Sequence, residues 1–233
     1  MHKLWRQLRY LLFLSSSLLV VVPGLAADTA QEFRIATEGY RYSFPRDHGA
    51  HDEFRTEWWY YTGQLMAKDG RPFGYELTFF RRGTPREQTK TLPSQWAVTQ
   101  LYLAHFAVSD ISKGRFHYTD KMSRAGLGKA GAARDGLHVW IDHWSAESPP
   151  NASGAQTLQA AEGDIAIQLT VSPGKPPVVH GIDGISRKGP VTGQASHYYS
   201  FTRLATTGKL TIGNESFDVT GTSWMDHEFG SAD

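Results

Sequence analysis

The chain has 233 residues, no cysteine and a formal net charge of +1, with 24 basic and 23 acidic residues interspersed along its length. This balance leaves no basic patch of the kind that binds nucleic acid, and the lack of cysteine rules out disulfide bonds. Stability must therefore come from a packed core, for which 7 Trp, 10 Tyr and 12 Phe residues supply large apolar surfaces.

The first predicted element is a signal peptide over residues 1–26. A basic stretch (3–9) precedes an apolar run (11–22), and the small residues Ala26 and Ala27 follow it. A signal peptidase recognises this order of regions, so cleavage is expected after Ala26 or Ala27. The apolar run is short for a membrane-spanning helix, which needs about 20 residues, so an uncleaved anchor is the less favoured alternative. We therefore expect an exported protein, periplasmic or secreted.

Residues 27–56 are polar and mixed, and we interpret them as a lead-in segment outside the core. Four residues of metal-binding type lie close together there: His48, His51, Asp52 and Glu53. Their spacing matches no metal-binding motif, so no metal site is expected. The β-domain is predicted to begin at Glu57 and to continue to residue 233.

Two aromatic-rich runs, 58–67 and 72–81, are separated by the sequence Lys-Asp-Gly-Arg. An Asp-Gly turn between such runs indicates a β-hairpin. In the second run, alternate residues form one apolar face: Phe73, Tyr75, Leu77 and Phe79. The opposite face includes Glu76, which we expect to be buried and paired with Arg81 or Arg82.

The later elements also alternate with the period of a strand. Strands are predicted over 96–109, 115–119, 138–144, 158–161, 165–171, 197–205, 209–212 and 217–219. Turn signals lie at 162–164, 207–208 and 213–214, residues 123–136 are predicted to be a flexible connection, and 172–193 a long surface loop. No segment has helical periodicity, so the sequence predicts an all-β sandwich or barrel.

Three motifs resemble those of the carotenoid 1,2-hydratase superfamily. They are Glu57-Trp58-Trp59-Tyr60-Tyr61-Thr62-Gly63, Gly74-Tyr75-Glu76-Leu77-Thr78-Phe79-Phe80-Arg81 and Trp224-Met225-Asp226-His227-Glu228-Phe229-Gly230. The likeness extends from about Tyr42 to the end of the chain and is greatest to the exported AttH-like branch, often labelled secreted hydrolases. It implies a lipocalin-like β-architecture of two consecutive lobes with an apolar cavity. The chain stops soon after the third motif, so we expect it to be the N-terminal lobe of a longer protein.

The resemblance also implies a set of catalytic residues. In the hydratases of the family they form a His-x-Trp pair and a Tyr-x-Asp pair, which correspond here to His197 with Tyr199 and to Trp224 with Asp226. Each aromatic position keeps a ring but with the other identity. Asp226 would be the acid, His197 would hold or deprotonate water, and the two rings would stabilise a cation. This chemistry needs no cofactor and no metal.

The expected ligand cavity is lined by seven residues: Trp58, Trp59, Tyr61, Tyr75, Glu76, Phe79 and Tyr102. The expected function is binding of a hydrophobic isoprenoid- or lipid-like molecule, with cofactor-independent hydration of a C=C bond. The alternatives are a non-catalytic periplasmic lipid carrier and a secreted hydrolase of unknown type, for which no Gly-x-Ser-x-Gly motif is present. Peripheral contact with a membrane is a further expectation, and the sequence carries no signal for an oligomeric state.

Overall fold

Antiparallel strands account for nearly all of the regular structure in the computed structural model, which describes residues 33–85, 98–150 and 153–231. The strands are β1 (Thr56–Ala67), β2 (Pro72–Gly83), β3 (Gln100–Asp110), β4 (Arg115–Arg124), β5 (Ala130–Ala132), β6 (His138–Ile141), β7 (Trp144–Glu147), β8 (Gln156–Glu162), β9 (Ile165–Pro173), β10 (Val178–Val179), β11 (Ile185–Arg187), β12 (Ala195–Ile212) and β13 (Glu215–Gly230). A 3₁₀ turn at Arg46–His48 is the helical element of these ranges. No described helix has the length and apolarity that a membrane span requires. The predicted signal peptide, 1–26, lies outside the described residues.

Eleven strands form one antiparallel sheet in the order β4-β3-β2-β1-β13-β12-β9-β8-β7-β6-β5, and β10 and β11 add to β12. The sheet curls into a nearly closed barrel, which confirms the prediction of an all-β fold. Lys121 on the end strand β4 reaches the opposite half of the sheet, because its ammonium lies 2.9 Å from the carboxylate of Glu162 at the end of β8 and 3.6 Å from that of Asp142 between β6 and β7. The same ammonium lies 4.9 Å from the ring centroid of Trp144.

The β1–β2 hairpin confirms the prediction made from the Asp-Gly turn. Its pairing runs from Met66 opposite Pro72 back to Thr56 opposite Arg82. The predicted apolar face of β2 is buried inside the barrel, with Phe73, Tyr75, Leu77 and Phe79 in the main core cluster. The hairpin predicted around residues 162–164 is also present, between β8 and β9.

The segment 138–144 was predicted to be one strand, and this is wrong. β6 ends at Ile141 and β7 begins at Trp144, with a tight turn in which Asp142 has φ +50°. Asp residues tolerate this left-handed conformation better than most, which makes such a turn accessible here. The connection predicted over 123–136 contains the short strand β5.

A turn was predicted at residues 207–208, and this is also wrong. β12 continues from Ala195 to Ile212, with a register shift between Phe201 and Leu204. Gly208 allows the close approach of a neighbouring strand, because a Cβ there would lie 2.1 Å from the carbonyl oxygen of Gln168. β13 is likewise far longer than the predicted 217–219, so the third sequence motif lies on a central strand.

The lead-in segment was expected to lie outside the core. Its described part contradicts this at six buried positions: Ala36, Asp47, Gly49, Ala50, His51 and Phe54. The main-chain N–H of Ala50 donates to the carbonyl of Ala133, which ties the segment to β5. The segment therefore covers one end of the barrel.

Replacing Gly208 with alanine should destabilise the protein by more than about 2 kcal/mol, because the added methyl group meets main-chain atoms in a φ region that favours glycine. Urea unfolding measures the change. Gly74→Ala on β2 is the matched control, since the nearest atom to its Cβ would be 3.6 Å away. Equal stability of the two variants would contradict the close-approach explanation.

Candidate functional site

Buried polar side chains gather where β1, β2, β12 and β13 meet the lead-in segment. We call them the buried cluster: Asp47, His51, Glu57, Arg81, Tyr199 and His227, each at most 1% exposed. Strand pairing explains the convergence, because His227 lies between Trp59 on β1 and Tyr199 on β12. Alternate residues of a strand point to one side, so Glu57, like Trp59, faces inward.

Glu57 is the centre of the buried cluster. Its Oε1 accepts from His51 Nδ1 at 2.7 Å and from His227 Nε2 at 2.8 Å. Its Oε2 accepts from Arg81 Nε and from the main-chain N–H of His51, both at 2.9 Å. Burial alone would raise the pKa of Glu57, but hydrogen bonds from His227 and His51 and the charge of Arg81 hold it well below its usual range.

His51 lies between two carboxylates. Its Nδ1 faces Glu57, and its Nε2 lies 3.2 Å from Asp47 Oδ1. An ionised carboxylate only accepts hydrogen bonds, so both ring nitrogens must carry hydrogen and His51 is an imidazolium. Burial opposes this charge, yet the hydrogen bonds to Asp47 and Glu57 raise the pKa of His51. Its ring also stacks on Phe229, with centroids 3.6 Å apart.

Asp47 is stabilised as an anion from several directions. Its Oδ2 accepts from the main-chain N–H of Ser43 at 2.6 Å, and its Oδ1 accepts from the Tyr40 hydroxyl at 3.1 Å and from the Arg46 guanidinium. Burial by itself would raise the pKa of Asp47, but the hydrogen bonds from His51 and Arg46 hold it well below its usual range.

His51, Glu57 and His227 offer three ligand atoms within 4.8 Å of one another. A divalent cation there would have to share the Glu57 carboxylate with the buried guanidinium of Arg81. It would also have to displace a proton from His51, whose two nitrogens both face carboxylates. Because Arg81 already pairs with Glu57 and both ring nitrogens of His51 carry hydrogen, these residues fit a hydrogen-bonded cluster better than a metal centre.

A second branch leads from the buried cluster towards the surface. The Tyr199 hydroxyl lies 3.0 Å from His227 Nδ1, 2.7 Å from His48 Nδ1 and 3.1 Å from the carbonyl of Asp47. Burial lowers the pKa of both histidines, that of His48 to about 4. Both imidazoles are consequently neutral at pH 7. The Trp59 indole anchors His48 by donating to its carbonyl at 3.0 Å.

His48 lines a surface hollow of about 640 Å³ between the lead-in segment and the connections that flank β6 and β7. The other lining residues are largely apolar or small: Phe44, Pro45, Ala133, Asp135, Gly136, Leu137, His138, Ser148, Pro149, Ser153 and Gly154. Phe44 stacks on the His48 ring with centroids 4.5 Å apart. We call this space the hollow; its size lies within the ordinary range of small-molecule sites.

Two of the four predicted catalytic residues face inward. Tyr199 belongs to the buried cluster, as described above. His197 is 1% exposed and packs against the rings of Tyr40, Phe54 and Phe229, with centroids 4.3, 5.4 and 5.2 Å away. Its Nδ1 has no hydrogen-bond partner in the described part of the chain, and burial lowers its pKa to about 4.

The other two, Asp226 and Trp224, lie on the outer face of β13. Asp226 accepts from the Trp224 indole at 2.6 Å, from the Tyr198 hydroxyl at 2.9 Å and from Ser200. Ser200 Oγ also lies 2.7 Å from His180 Nε2. A nucleophilic triad needs the carboxylate on the far side of the histidine, whereas here it contacts the serine. The structure thus divides the predicted catalytic residues between the two faces of one sheet.

The seven predicted cavity residues are divided in the same way. Five belong to the packed core of the barrel: Trp59, Tyr61, Tyr75, Phe79 and Tyr102. Trp58 and Glu76 are half-buried on the outer face. The prediction that Glu76 is buried is wrong, as is its pairing with Arg81, because Arg81 pairs with Glu57 and Glu76 accepts from Thr78 at 3.0 Å.

Sequence reasoning missed Glu57, Asp47, His227 and the position of His48. One signal could have found the first of these. Extending the hairpin pairing back from its turn places Glu57 opposite Arg81. Directly opposed unlike charges at alternating inward positions indicate a buried ion pair. The lead-in residues carry no comparable signal, since they reach the site through loop geometry.

The sequence model of the AttH-like family matches residues 35–233. The chain belongs to the AttH-like family. An AttH-type protein from Nitrosomonas europaea, known from a crystal structure, is 34% identical, with a TM-score of 0.76; the match covers 86% of this chain and 59% of that one. No curated protein matches the sequence.

A second solved structure, kievitone hydratase from Nectria haematococca, is 11% identical with a TM-score of 0.59, covering 86% of this chain and 57% of that one. At this identity the likeness concerns the fold alone. This AttH-like chain therefore spans less than two thirds of the length of both structures.

Replacing Glu57 with glutamine should destabilise the protein by about 3 kcal/mol, because Arg81 and the His51 imidazolium lose their shared buried anion. Chemical denaturation measures the loss. Glu76→Gln on β2 is the control, with an expected change below about 1 kcal/mol for a half-exposed carboxylate. Similar losses in both variants would contradict the central place of Glu57.

Acid should destabilise the protein between pH 6.5 and 4, partly through His197. The unfolded chain protonates this histidine near pH 6.5 and the folded chain only at about 4. Its contribution is present above pH 6.5 and is lost as the pH falls to 4, on the order of 2–3 kcal/mol. His197→Phe should flatten the measured dependence, whereas His143→Phe, at an exposed turn position, should not. An unchanged slope in His197→Phe would refute this assignment.

Proposed function

We propose that this AttH-like protein binds an apolar small molecule of isoprenoid or lipid type in the hollow and adds water across a C=C bond without a cofactor. The observation that carries the proposal is the neutral imidazole of His48 on an otherwise largely apolar wall. Its Nδ1 is engaged by Tyr199, and its Nε2 makes no hydrogen bond to any described residue.

The walls of the hollow suit the binding of a hydrocarbon chain. Phe44 is 38% exposed, and Pro45, Leu137 and Pro149 contribute further apolar surface to the same space. Covering such surface with an apolar ligand releases water, at a gain of about 25 cal/mol per Å² of apolar area. Five of the twelve lining residues are polar (His48, Asp135, His138, Ser148 and Ser153), and they would orient the ligand rather than supply most of its affinity.

The proton balance of hydration needs only one group that gains and returns a proton. Adding water to a C=C bond forms one C–O and one C–H bond and breaks one O–H bond of the water. The neutral His48 Nε2 would take the proton of the water as its oxygen bonds to a C=C bond conjugated to a carbonyl group; the π electron pair moves onto that carbonyl and then forms the C–H bond with the returned proton. The reaction is therefore balanced without a redox partner, a metal or net proton uptake.

The fold that this chain shares with a hydratase supports hydration over other lyase reactions. The fold shared with kievitone hydratase covers 86% of this chain, and that protein is named for adding water. A hydrolase receives less support, because Ser200 is fully buried and its carboxylate partner Asp226 is not in the order of a triad.

Export and contact with a membrane complete the proposal. Export is supported by the order of basic, apolar and small residues over 1–26. Four apolar residues of the long connection between β9 and β12 are exposed and could touch a bilayer surface: Val178, Val179, Ile182 and Val191. An exported protein of this kind would meet its ligand in the cell envelope.

Replacing Phe44 with serine should weaken binding of cis-parinaric acid, a fluorescent polyene fatty acid, by at least about tenfold, because the hollow loses its largest exposed apolar side chain. Fluorescence titration measures the affinity. Phe116→Ser on β4 is the matched control, since Phe116 is an exposed ring that does not line the hollow. Equal affinity in the two variants would place the ligand elsewhere.

The chemical step is tested by incubating the protein with α,β-unsaturated isoprenoid esters in H₂¹⁸O and measuring by mass spectrometry the ¹⁸O of the hydroxyl group added to carbon. His48→Gln should abolish incorporation while keeping cis-parinaric acid affinity within about threefold, because the amide cannot carry the proton. Binding without incorporation in the wild type would instead support a lipid carrier.

A further inference from the structure

We infer that His48, Tyr199 and His227 form a proton relay that ends at Glu57, so that a proton accepted at the hollow is held at His227. This inference deepens the proposed function and depends on it for its catalytic meaning. The geometry of the relay, however, is independent of any substrate.

The inner end of the relay is defined by Glu57. Its carboxylate only accepts, so His227 Nε2, 2.8 Å away, carries a hydrogen. Neutral His227 then has a bare lone pair on Nδ1, which points at the Tyr199 hydroxyl 3.0 Å away. This tautomer is assigned from the hydrogen-bond partners of the two nitrogens.

Tyr199 has one hydroxyl hydrogen and three polar neighbours. The carbonyl of Asp47 only accepts, and neutral His227 presents only a lone pair. If the hydroxyl donated to His48 Nδ1, its oxygen would face the His227 lone pair with no hydrogen between them. In the resting state the single Tyr199 hydrogen therefore lies on the inner side, shared between the Asp47 carbonyl at 3.1 Å and His227 Nδ1 at 3.0 Å, and His48 Nδ1 donates to Tyr199 across 2.7 Å.

The resting arrangement leaves His48 Nε2 without hydrogen at the hollow. When a water O–H bond breaks there, the proton bonds to His48 Nε2, the Nδ1 proton of His48 passes to the Tyr199 oxygen, and the Tyr199 proton passes to His227 Nδ1. Each group gives up one hydrogen and receives one, except His227, which becomes an imidazolium. The reverse sequence delivers the same proton to carbon.

At the inner end of the relay, the Glu57 carboxylate opposes the burial and the His51 charge that lower the pKa of His227. Glu57 contacts it directly at 2.8 Å. The other charged groups of the buried cluster are two cations, Arg81 and His51, and one further anion, Asp47. No carboxylate of the described residues forms a hydrogen bond or ion pair with His48. Moving the proton inward thus takes it from the wall of the hollow, which also carries Asp135 and His138, to a group that is hydrogen-bonded to the Glu57 carboxylate.

The matched pair Tyr199→Phe and Tyr198→Phe tests the relay. Both remove one hydroxyl from β12, the first inside the barrel and the second on the outer face, where it donates to Asp226. In ¹⁵N-histidine NMR of the wild type, His48 should be the Nδ1–H tautomer, and the signals of His48 and His227 should titrate with one shared midpoint. Tyr199→Phe should give the two histidines separate titration midpoints and remove the preference of His48 for the Nδ1–H tautomer. Tyr198→Phe should change neither property.

The wild-type spectrum decides the matter even if Tyr199→Phe does not fold. An Nε2–H tautomer of His48, or independent midpoints for the two histidines, would overturn the relay. These readings do not depend on turnover. The NMR spectrum therefore tests the relay, and ¹⁸O incorporation separately tests the proposed hydration.

Discussion

Glu57 is a fully buried carboxylate, and the arrangement of polar groups at this end of the barrel follows from the need to satisfy it. Four hydrogen bonds reach its two oxygens, from the main-chain and side-chain nitrogens of His51, from Arg81 and from His227. An unpaired charge in this position would cost several kcal/mol, roughly half the net stability of a typical domain. The lead-in segment is therefore a necessary part of the barrel, because it supplies the His51 donors and the second anion, Asp47.

Both faces of β12 and β13 carry polar clusters, and they differ in character. The inward cluster is fully buried and ends at the hollow through Tyr199 and His48. The outward cluster around Asp226 is half-buried, and its carboxylate is engaged by hydroxyl and indole donors. Strand alternation separates the two, since a side chain reaches one face of a sheet only. Residues two apart in sequence share a cluster, whereas residues one apart do not.

The barrel has open space at its edge rather than at its centre. The interior is occupied by packed aromatic side chains such as Trp59, Tyr61 and Phe79. The hollow lies instead at the edge, where the lead-in segment meets the β5–β6 and β7–β8 connections. Loops on a rigid barrel can vary without disturbing the core, which is why sites are commonly built there.

The amino-acid sequence by itself determined the all-β class, the β1–β2 and β8–β9 hairpins and the inward face of β2. These depend on alternation and turn chemistry, which are local properties of the chain. It also placed His197 at the start of a strand, but it left Asp226 outside the predicted strands and did not determine on which face of the sheet either residue lies. The register of β12 against β13, with Tyr199 opposite His227, decided that.

The tertiary structure alone decided the assembly of the buried cluster. Asp47, His48 and His51 come from a segment without strand periodicity, and they meet Tyr199 and His227 across more than a hundred residues of sequence. Hairpin register places Glu57 opposite Arg81, although the prediction paired Arg81 or Arg82 with Glu76 instead. The physical reason is that hydrogen bonds to a buried charge depend on distance and angle. The partners reach those distances and angles only in the folded barrel.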